Sequence, residues 1–388
     1  FLLGWNDGSS GPLIPRIQQV YHVGFVLVSL TFVLACLAKI QYVFQGFIAG
    51  AFINMHWAEK VGFGKIVVLS ALCQVAAYSI QAPGPPFPLF VLSYALVGVG
   101  SAIQNAQANA YVVSLKHNSE FYMGMLHASY GAGALSSPLV ATQFAQMRHW
   151  SFHYLISLGL AITNVLVLTL VFRGRTQDEA LTLIGEPAGE KDTSDHSNFR
   201  QILSLKTVHL LAFFALVYVG VEVTVGGWIV TFIINVKGGG PSSGYISSGF
   251  FGVGIMVGRL ALLWLNKKIG EHRVLYLYVS LAIGLELIVW FVPSLTGSAV
   301  AVSLIGVFLG SVYPIVMNRV GKVVPRWLLS GSIGWIAGFG QAGSALLPFM
   351  TGVIASKAGI RALQPLLISM MALLPILWAL VPVSRRID

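Results

Sequence analysis

A chain of 388 residues that is 56% hydrophobic and only 9% charged, with mean hydropathy +0.79, lacks the polar surface of a soluble globular protein, where charged residues make up about 25%. Its net charge of +10 is not gathered into a basic face interleaved with aromatics, which excludes nucleic acid as a partner. The two cysteines, Cys36 and Cys73, both lie in apolar runs, which excludes a disulfide framework.

A bilayer-spanning helix needs about 20 mostly apolar residues, so this length holds about a dozen spans with short connections. Apolar runs between charged or Pro/Gly-rich breaks place twelve predicted helices at 1–18, 23–56, 64–81, 88–115, 121–147, 152–173, 207–236, 244–266, 273–292, 297–322, 328–356 and 361–382. The chain opens at Phe1 rather than Met inside the first run. That helix is therefore expected to be cut short, with further chain before it, and no leader peptide can be read. The second run is long for one span and suits a tilted helix that projects past the membrane.

Residues 174–206 include Asp178, Glu179, Glu186, Glu190, Asp192 and Asp195, and they carry too few apolar side chains for a core of their own. The expected organisation is an N-terminal six-helix bundle at 1–173, a cytoplasmic linker at 174–206 and a C-terminal six-helix bundle at 207–388. Of the 23 Lys and Arg, 15 fall in connections 2–3, 4–5, 6–7, 8–9, 10–11 and the C-terminal tail, and five in the other connections. By the positive-inside rule both termini of this multi-pass protein are expected in the cytoplasm, which an even number of spans allows. The membrane is the plasma membrane or an internal, vacuolar one. The remaining bases, Lys39, Arg259 and Arg319, fall within spans.

The two halves repeat. Gly50, Lys60, Gly62 and Lys65 match Gly258, Lys268, Gly270 and Arg273 at an offset of 208. Gly100 and Ser101 match Gly310 and Ser311, and Gly133 and Pro138 match Gly343 and Pro348, both at 210. Internal duplication is a mark of transporter folds, in which the substrate site lies at the interface of the repeats.

GAFINMHWAEKVGFGK, from Gly50 to Lys65, resembles the loop 2–3 motif of the major facilitator superfamily. GAGALSSP and GQAGSALLP resemble the Gly/Pro-rich fifth and eleventh helices of that superfamily. The opening GWNDGSSGPLIP resembles the first helix of the fucose–proton symporter branch and its uncharacterised fungal relatives. The resemblance implies an all-α membrane protein of twelve transmembrane helices in two pseudo-symmetric bundles, working by alternating access and expected to act as a monomer. It also implies gating contacts among Gly50, Glu59, Lys60, Gly62, Lys65, Lys267, Gly270 and Arg273; the alternative is plain topology charge.

An ionisable side chain inside a bilayer costs at least about 2.5–3.5 kcal/mol, so each one is a functional candidate. Of the 13 acids, three lie within spans: Asp7, Glu222 and Glu286. Asp7 follows Asn6 where Gly8, Gly11 and Pro12 make the first helix irregular. A low dielectric favours the neutral form of a carboxyl, which is what a proton carrier needs. Asp7 is thus read as a proton-coupling or substrate-binding group, or else as the partner of a base such as Lys39. Glu222 precedes Gly226, Gly227 and Trp228, and Trp228 is placed to cover a ligand. The resemblance sets the first and seventh helices along the cavity, which favours proton coupling or substrate binding by Glu222 over a packing role. Glu286 reads as structural, since the ninth helix is peripheral in the superfamily.

The fourth helix carries Gln104, Asn105, Gln107 and Asn109, with Asn105 and Asn109 on one face. Amides suit a hydroxyl-rich neutral solute, and equally they glue helices together. The symporter branch has an acid in this helix and this chain has none, so Glu222 is the candidate for that second role. His127 and Tyr130, one turn apart, either bind substrate and move protons or satisfy the structure. Tyr313, Trp335 and Gln341 are expected on the C-terminal wall. Arg319 is read as a gate or topology charge, and Arg259 as structural.

No GxSxG, HExxH, Cys/His metal spacing or phosphate loop occurs, so no catalytic residue, metal or cofactor is expected. The leading expectation is symport of a neutral, polar, sugar-like solute with protons, or Na+, as the coupling ion. A facilitator or drug–proton antiporter is the second reading, and a non-transporting sensor or scaffold the third.

Overall fold

The computed structural model describes residues 1–44, 62–115, 117, 119–186, 201–325 and 328–382, with backbone alone at 36–44, 110, 113, 119–120, 123, 251 and 329–330. Gly50, Glu59 and Lys60 of the loop motif lie outside the described residues, as do Glu190, Asp192 and Asp195. Among the described residues there is no strand.

Among the described residues, twelve helical stretches follow the expected runs in chain order. They are α1 (Leu2–Tyr21), α2 (Phe25–Phe44), α3 (Phe63–Gln81), α4 (Phe87–Ser114), α5 (Ser119–Ala145), α6 (His153–Phe172) and α7 (Lys206–Lys237). Then come α8 (Pro241–Ala261, continued across a 45° bend by Leu263–Ile269), α9 (Glu271–Phe291), α10 (Leu295–Val323), α11 (Leu329–Ala358) and α12 (Leu363–Ala379). Each falls on one of the expected runs. Seven helical spans among the described residues are long and apolar enough to cross a membrane, and the bent α8 makes an eighth. In α1 and α5, Gly, Ser, Pro and polar side chains take positions that a lipid-facing span fills with Leu.

The described residues form two compact units. One holds Phe1–Leu3, Val33–Tyr130 and Arg148–Thr193. Within it α3 packs on α4 and α6, and Gly98 of α4 meets the Ala35 carbonyl of α2. Gly100 brings α4 so near α3 that an added Cβ would lie 2.5 Å from the Ser70 carbonyl oxygen. Beside it Gln74 Nε2 donates to Ser101 Oγ at 3.0 Å, so the buried polar groups satisfy one another. Tyr94 and Tyr154 join α4 to α6 through their hydroxyls, 2.9 Å apart, inside a cluster with Phe90 and Trp150. The linker opens with a short helix, Gln177–Leu183, started by a capping box between Thr176 and Glu179.

The other unit holds Gly4–Phe32, Gly131–Met147 and Ser194–Asp388. Its axis is α7, buried along most of its length against α11, α12 and α10. Small residues set the spacing. A Cβ added to Gly343 would lie 2.0 Å from the Leu216 carbonyl oxygen, and one on Gly258 would lie 2.0 Å from that of Val307. Parts of α1, α2 and α5 pack onto these helices in the same way. Gly8 meets Ala134, Gly11 meets the Gly226 carbonyl, Gly244 meets Thr142, and the Phe32 ring lies on Gly227. Ser9 Oγ and Ser137 Oγ are 2.5 Å apart, and the Gln143 amide donates to the Tyr245 hydroxyl.

Candidate functional site

Glu222 sits midway along α7 and is 9% exposed. Tyr218 precedes it by one turn and therefore shares its face. Tyr218 is buried; its Oη donates to the Leu309 carbonyl of α10 at 2.9 Å, and the same oxygen meets the Glu222 carboxyl. Arg259 of α8 and Asp7 of α1 lie within electrostatic reach of Glu222. The Tyr313 ring of α10 stacks on Tyr218, with centroids 6.3 Å apart and planes at 29°. Helices α1, α7, α8 and α10 thus place two carboxyls, a guanidinium and two phenols in one cluster.

Local sequence explains how Arg259 gets there. Residues Gly249–Met256 of α8 form a π-helical stretch, whose wider turn re-aims the side chains beyond it. Gly258 then lets α8 touch α10, and Ser311 Oγ locks the contact by donating to the Gly258 carbonyl at 2.8 Å.

Tyr313 meets Glu222's neighbour Tyr218, Asp7 lies within electrostatic reach of Glu222, and Asn6, next to Asp7 in the chain, is half-buried with its carbonyl accepting from Ser10 Oγ at 3.5 Å. Trp228 plays a different part from the one its sequence suggests. It is fully buried, its Nε1 donates to the Pro348 carbonyl at 3.0 Å, and Phe25 and Phe32 flank it with centroids at 5.9 and 6.1 Å. An indole enclosed on all sides with its N–H satisfied packs helices and offers no surface to a solute. On α11, Trp335 packs on His209 and Phe339, while the Gln341 carbonyl accepts from Ser344 Oγ.

In the other unit, Asn109 Nδ2 donates to Asn105 Oδ1 at 3.1 Å, so the two do share a face. Gln104 Oε1 accepts from Asn164 Nδ2 of α6 at 3.2 Å, which is the gluing role. Gln107 is buried, His127 exposed and Tyr130 half-buried. Lys65 is exposed, and Gly64 N donates to the Arg175 carbonyl at 2.8 Å. Gly62 and Gly270 cap α3 and α9 with nearly the same backbone, φ 88 with ψ 140 and φ 88 with ψ 133. Lys267 and Arg273 are exposed on either side of Gly270. Glu286 of α9 is fully buried facing Gln364 of α12. Among the described residues no group of three or more His, Cys, Asp or Glu could hold a metal ion.

Tyr218 is the member of the cluster that sequence reading passes over, and Arg259 the one it names only as structural. The signal was present: a tyrosine four residues before a membrane acid, and a base within a span that must find an acid.

A model of the Major Facilitator Superfamily matches residues 1–348. The chain is 25% identical over 406 residues to Bypass of stop codon protein 6 of Saccharomyces cerevisiae, covering 98% of this chain and 80% of that protein. It is 21% identical over 357 residues to the Glucose/mannose transporter GlcP of Bacillus subtilis, covering 91% and 85%. Among solved structures it is similar to a bacterial homologue of the human lysosomal transporter Spinster, with TM-score 0.73, 14% identity and coverage of 97% and 93%. The nucleoside transporter NupG gives TM-score 0.74 at 10% identity, covering 98% of each chain. The Fucose:proton symporter FucP of E. coli gives 0.62 at 15%, covering 99% and 97%. These structures bear on the fold alone, and the fold is the one the twelve runs and their repeat imply. With the family model spanning most of its length, the chain belongs to the Major Facilitator Superfamily and is an integral, multi-pass membrane transporter.

Proposed function

We propose that this transporter couples protons to the symport of a neutral, polar, sugar-like solute, with Glu222 carrying the proton and Asp7 sharing its site. The observation that carries this reading is the shared hydroxyl of Tyr218. A phenol has one proton, and Tyr218 gives it to Leu309. That proton can turn instead to an ionised Glu222, which also faces Arg259, whereas a protonated Glu222 donates to the phenol oxygen and leaves the phenol proton on Leu309 O. One carboxyl with a partner in each protonation state can load and release a proton. The candidates for solute binding are Asn6, Tyr313 and Gln341 in one unit and Asn105, Asn109, His127 and Tyr130 in the other. The printed functions of the Glucose/mannose transporter and the Fucose:proton symporter support a sugar-like solute. In this proposal both termini are cytoplasmic.

The test is uptake of a panel of labelled hexoses and nucleosides into proteoliposomes under an imposed pH gradient. Uptake is expected to track the gradient and to collapse with an uncoupler. In Glu222→Gln, gradient-driven uptake is expected to fall about 10- to 100-fold, the scale of one charge-assisted interaction, while counterflow exchange persists. Uptake indifferent both to the pH gradient and to Asp7→Asn overturns the proposal and leaves a facilitator.

A further inference from the structure

At the end of the bundle where α8 turns into α9, a cavity of about 700 Å³ opens between that turn and the last turns of α10. Lys267, Arg273, Arg319 and Lys322 line it, with Glu271 as the one acid. Glu271 is already engaged: its Oε1 accepts from Asn318 Nδ2 at 2.8 Å and its Oε2 from Lys322 Nζ at 2.5 Å. The buried Arg319 guanidinium lies over the Trp378 ring, 5.5 Å from its centroid. Lys267 and Arg273 remain exposed at the mouth, and neither makes a salt bridge among the described residues. Between them α9 begins at Gly270 with no side-chain cap on its first turn, so the positive end of a 21-residue helix faces the same space.

We propose that this cavity binds a phosphate group. A tetrahedral anion fits the inventory: the Arg273 fork and the Lys267 ammonium donate to its oxygens, and the uncapped α9 amides supply further donors. The ligand has two natural sources. Helix ends lie at the level of lipid headgroups, and the apolar rim formed by the exposed Leu263 and Ile269 suits the glycerol and upper acyl region of an acidic phospholipid. Trp264, exposed next to that rim with Lys268 Nζ 4.8 Å from its ring centroid, is the kind of aromatic–basic pair that anchors at an interface. A free phosphate in solution meets the same donors.

Thermal unfolding of the whole purified chain separates the two sources. One arm compares sodium phosphate with sodium chloride at equal ionic strength in detergent. The other compares nanodiscs of phosphatidylcholine alone with nanodiscs containing phosphatidic acid. A rise in Tm of about 2 °C or more in either arm is expected, and the responding arm names the source. The rise is expected to vanish in Lys267→Gln/Arg273→Gln and to persist in Arg173→Gln/Arg175→Gln, which removes two charges from another connection. If the double variant does not fold, Lys267→Gln alone is expected to lose at least half of the rise. The proposal is overturned by no rise in either arm, by an equal rise in the cavity variants, or by an equal loss in the control pair.

Discussion

Tyr218 has one hydroxyl proton and two oxygens beside it, Leu309 O and the Glu222 carboxyl. Tyr218→Phe keeps the ring stacked on Tyr313 and removes only the hydroxyl. Gradient-driven uptake is therefore expected to fall about 10-fold or more, since a hydrogen bond to an ionisable group is worth about 1.5–3 kcal/mol. Thermal unfolding is expected to stay within about 2 °C of the parent, because the apolar packing survives. Equal losses in uptake and in Tm would reduce Tyr218 to a packing residue. Asp7 and Glu222 can be picked out from sequence because a carboxyl has few reasons to lie in an apolar run. Tyr218 is passed over, because an aromatic in such a run looks like any packing side chain until its four-residue spacing from Glu222 is counted. Arg259 is visible as a base within a span but reads as structural, because nothing in the sequence says that α8 lies within electrostatic reach of Glu222. Trp228 fails the other way, since sequence does not say which neighbours will enclose a ring that comes after two glycines.

Among helices, one close approach is the seam of α8 on α10, where Gly254, Gly258, Gly306 and Gly310 face backbone. A Cβ on Gly258 would lie 2.0 Å from the Val307 carbonyl oxygen, whereas one on Gly284 of α9 meets no atom within 4 Å. Gly258→Val is expected to cost about 1–3 kcal/mol, the scale of overpacking, and to displace Arg259 with the helix that carries it. Gly284→Ala is expected to be neutral or slightly stabilising, as Ala is the better helix former. Unfolding midpoints by intrinsic fluorescence check the pair; similar midpoints would mean that the seam yields freely. The repeat is plain in sequence at this scale for a physical reason. Gly62 and Gly270 share a positive φ near 88°, a conformation that L side chains rarely adopt, so the pattern of glycines preserves a pattern of backbone.

Across the molecule, transport by alternating access requires contacts that break in each cycle. Those of α5 with α8 are candidates, because Gly244 sits directly against Thr142 and Gln143 bonds Tyr245. A Cβ on Gly244 would lie 3.1 Å from the Thr142 Cβ, near the range that a disulfide spans. Oxidation of Thr142→Cys/Gly244→Cys is expected to halt uptake and reduction to restore it, with each single variant indifferent to oxidant. Uptake that continues through a cross-link confirmed by mass would show that these helices never part. Sequence foretold the number of helices and their order. It could not foretell that stretches of α1, α2 and α5 would pack in one unit with the C-terminal helices, because that depends on surface shape and not on hydropathy.

The make-up of α1 and α5 also bears on how the chain is built. Neither is among the helices apolar enough to lodge in lipid by composition alone. During synthesis α5 leaves the ribosome well before α8, the helix that later covers Thr142 and Leu135. Until then its polar face has α1 for company, with Gly8 against Ala134 and Ser9 against Ser137. Ser9→Ala/Ser137→Ala is therefore expected to lower the yield of membrane-inserted chain more than it lowers the Tm of the chain that folds, and an equal fall in both would leave the serine pair a contact of the finished protein alone.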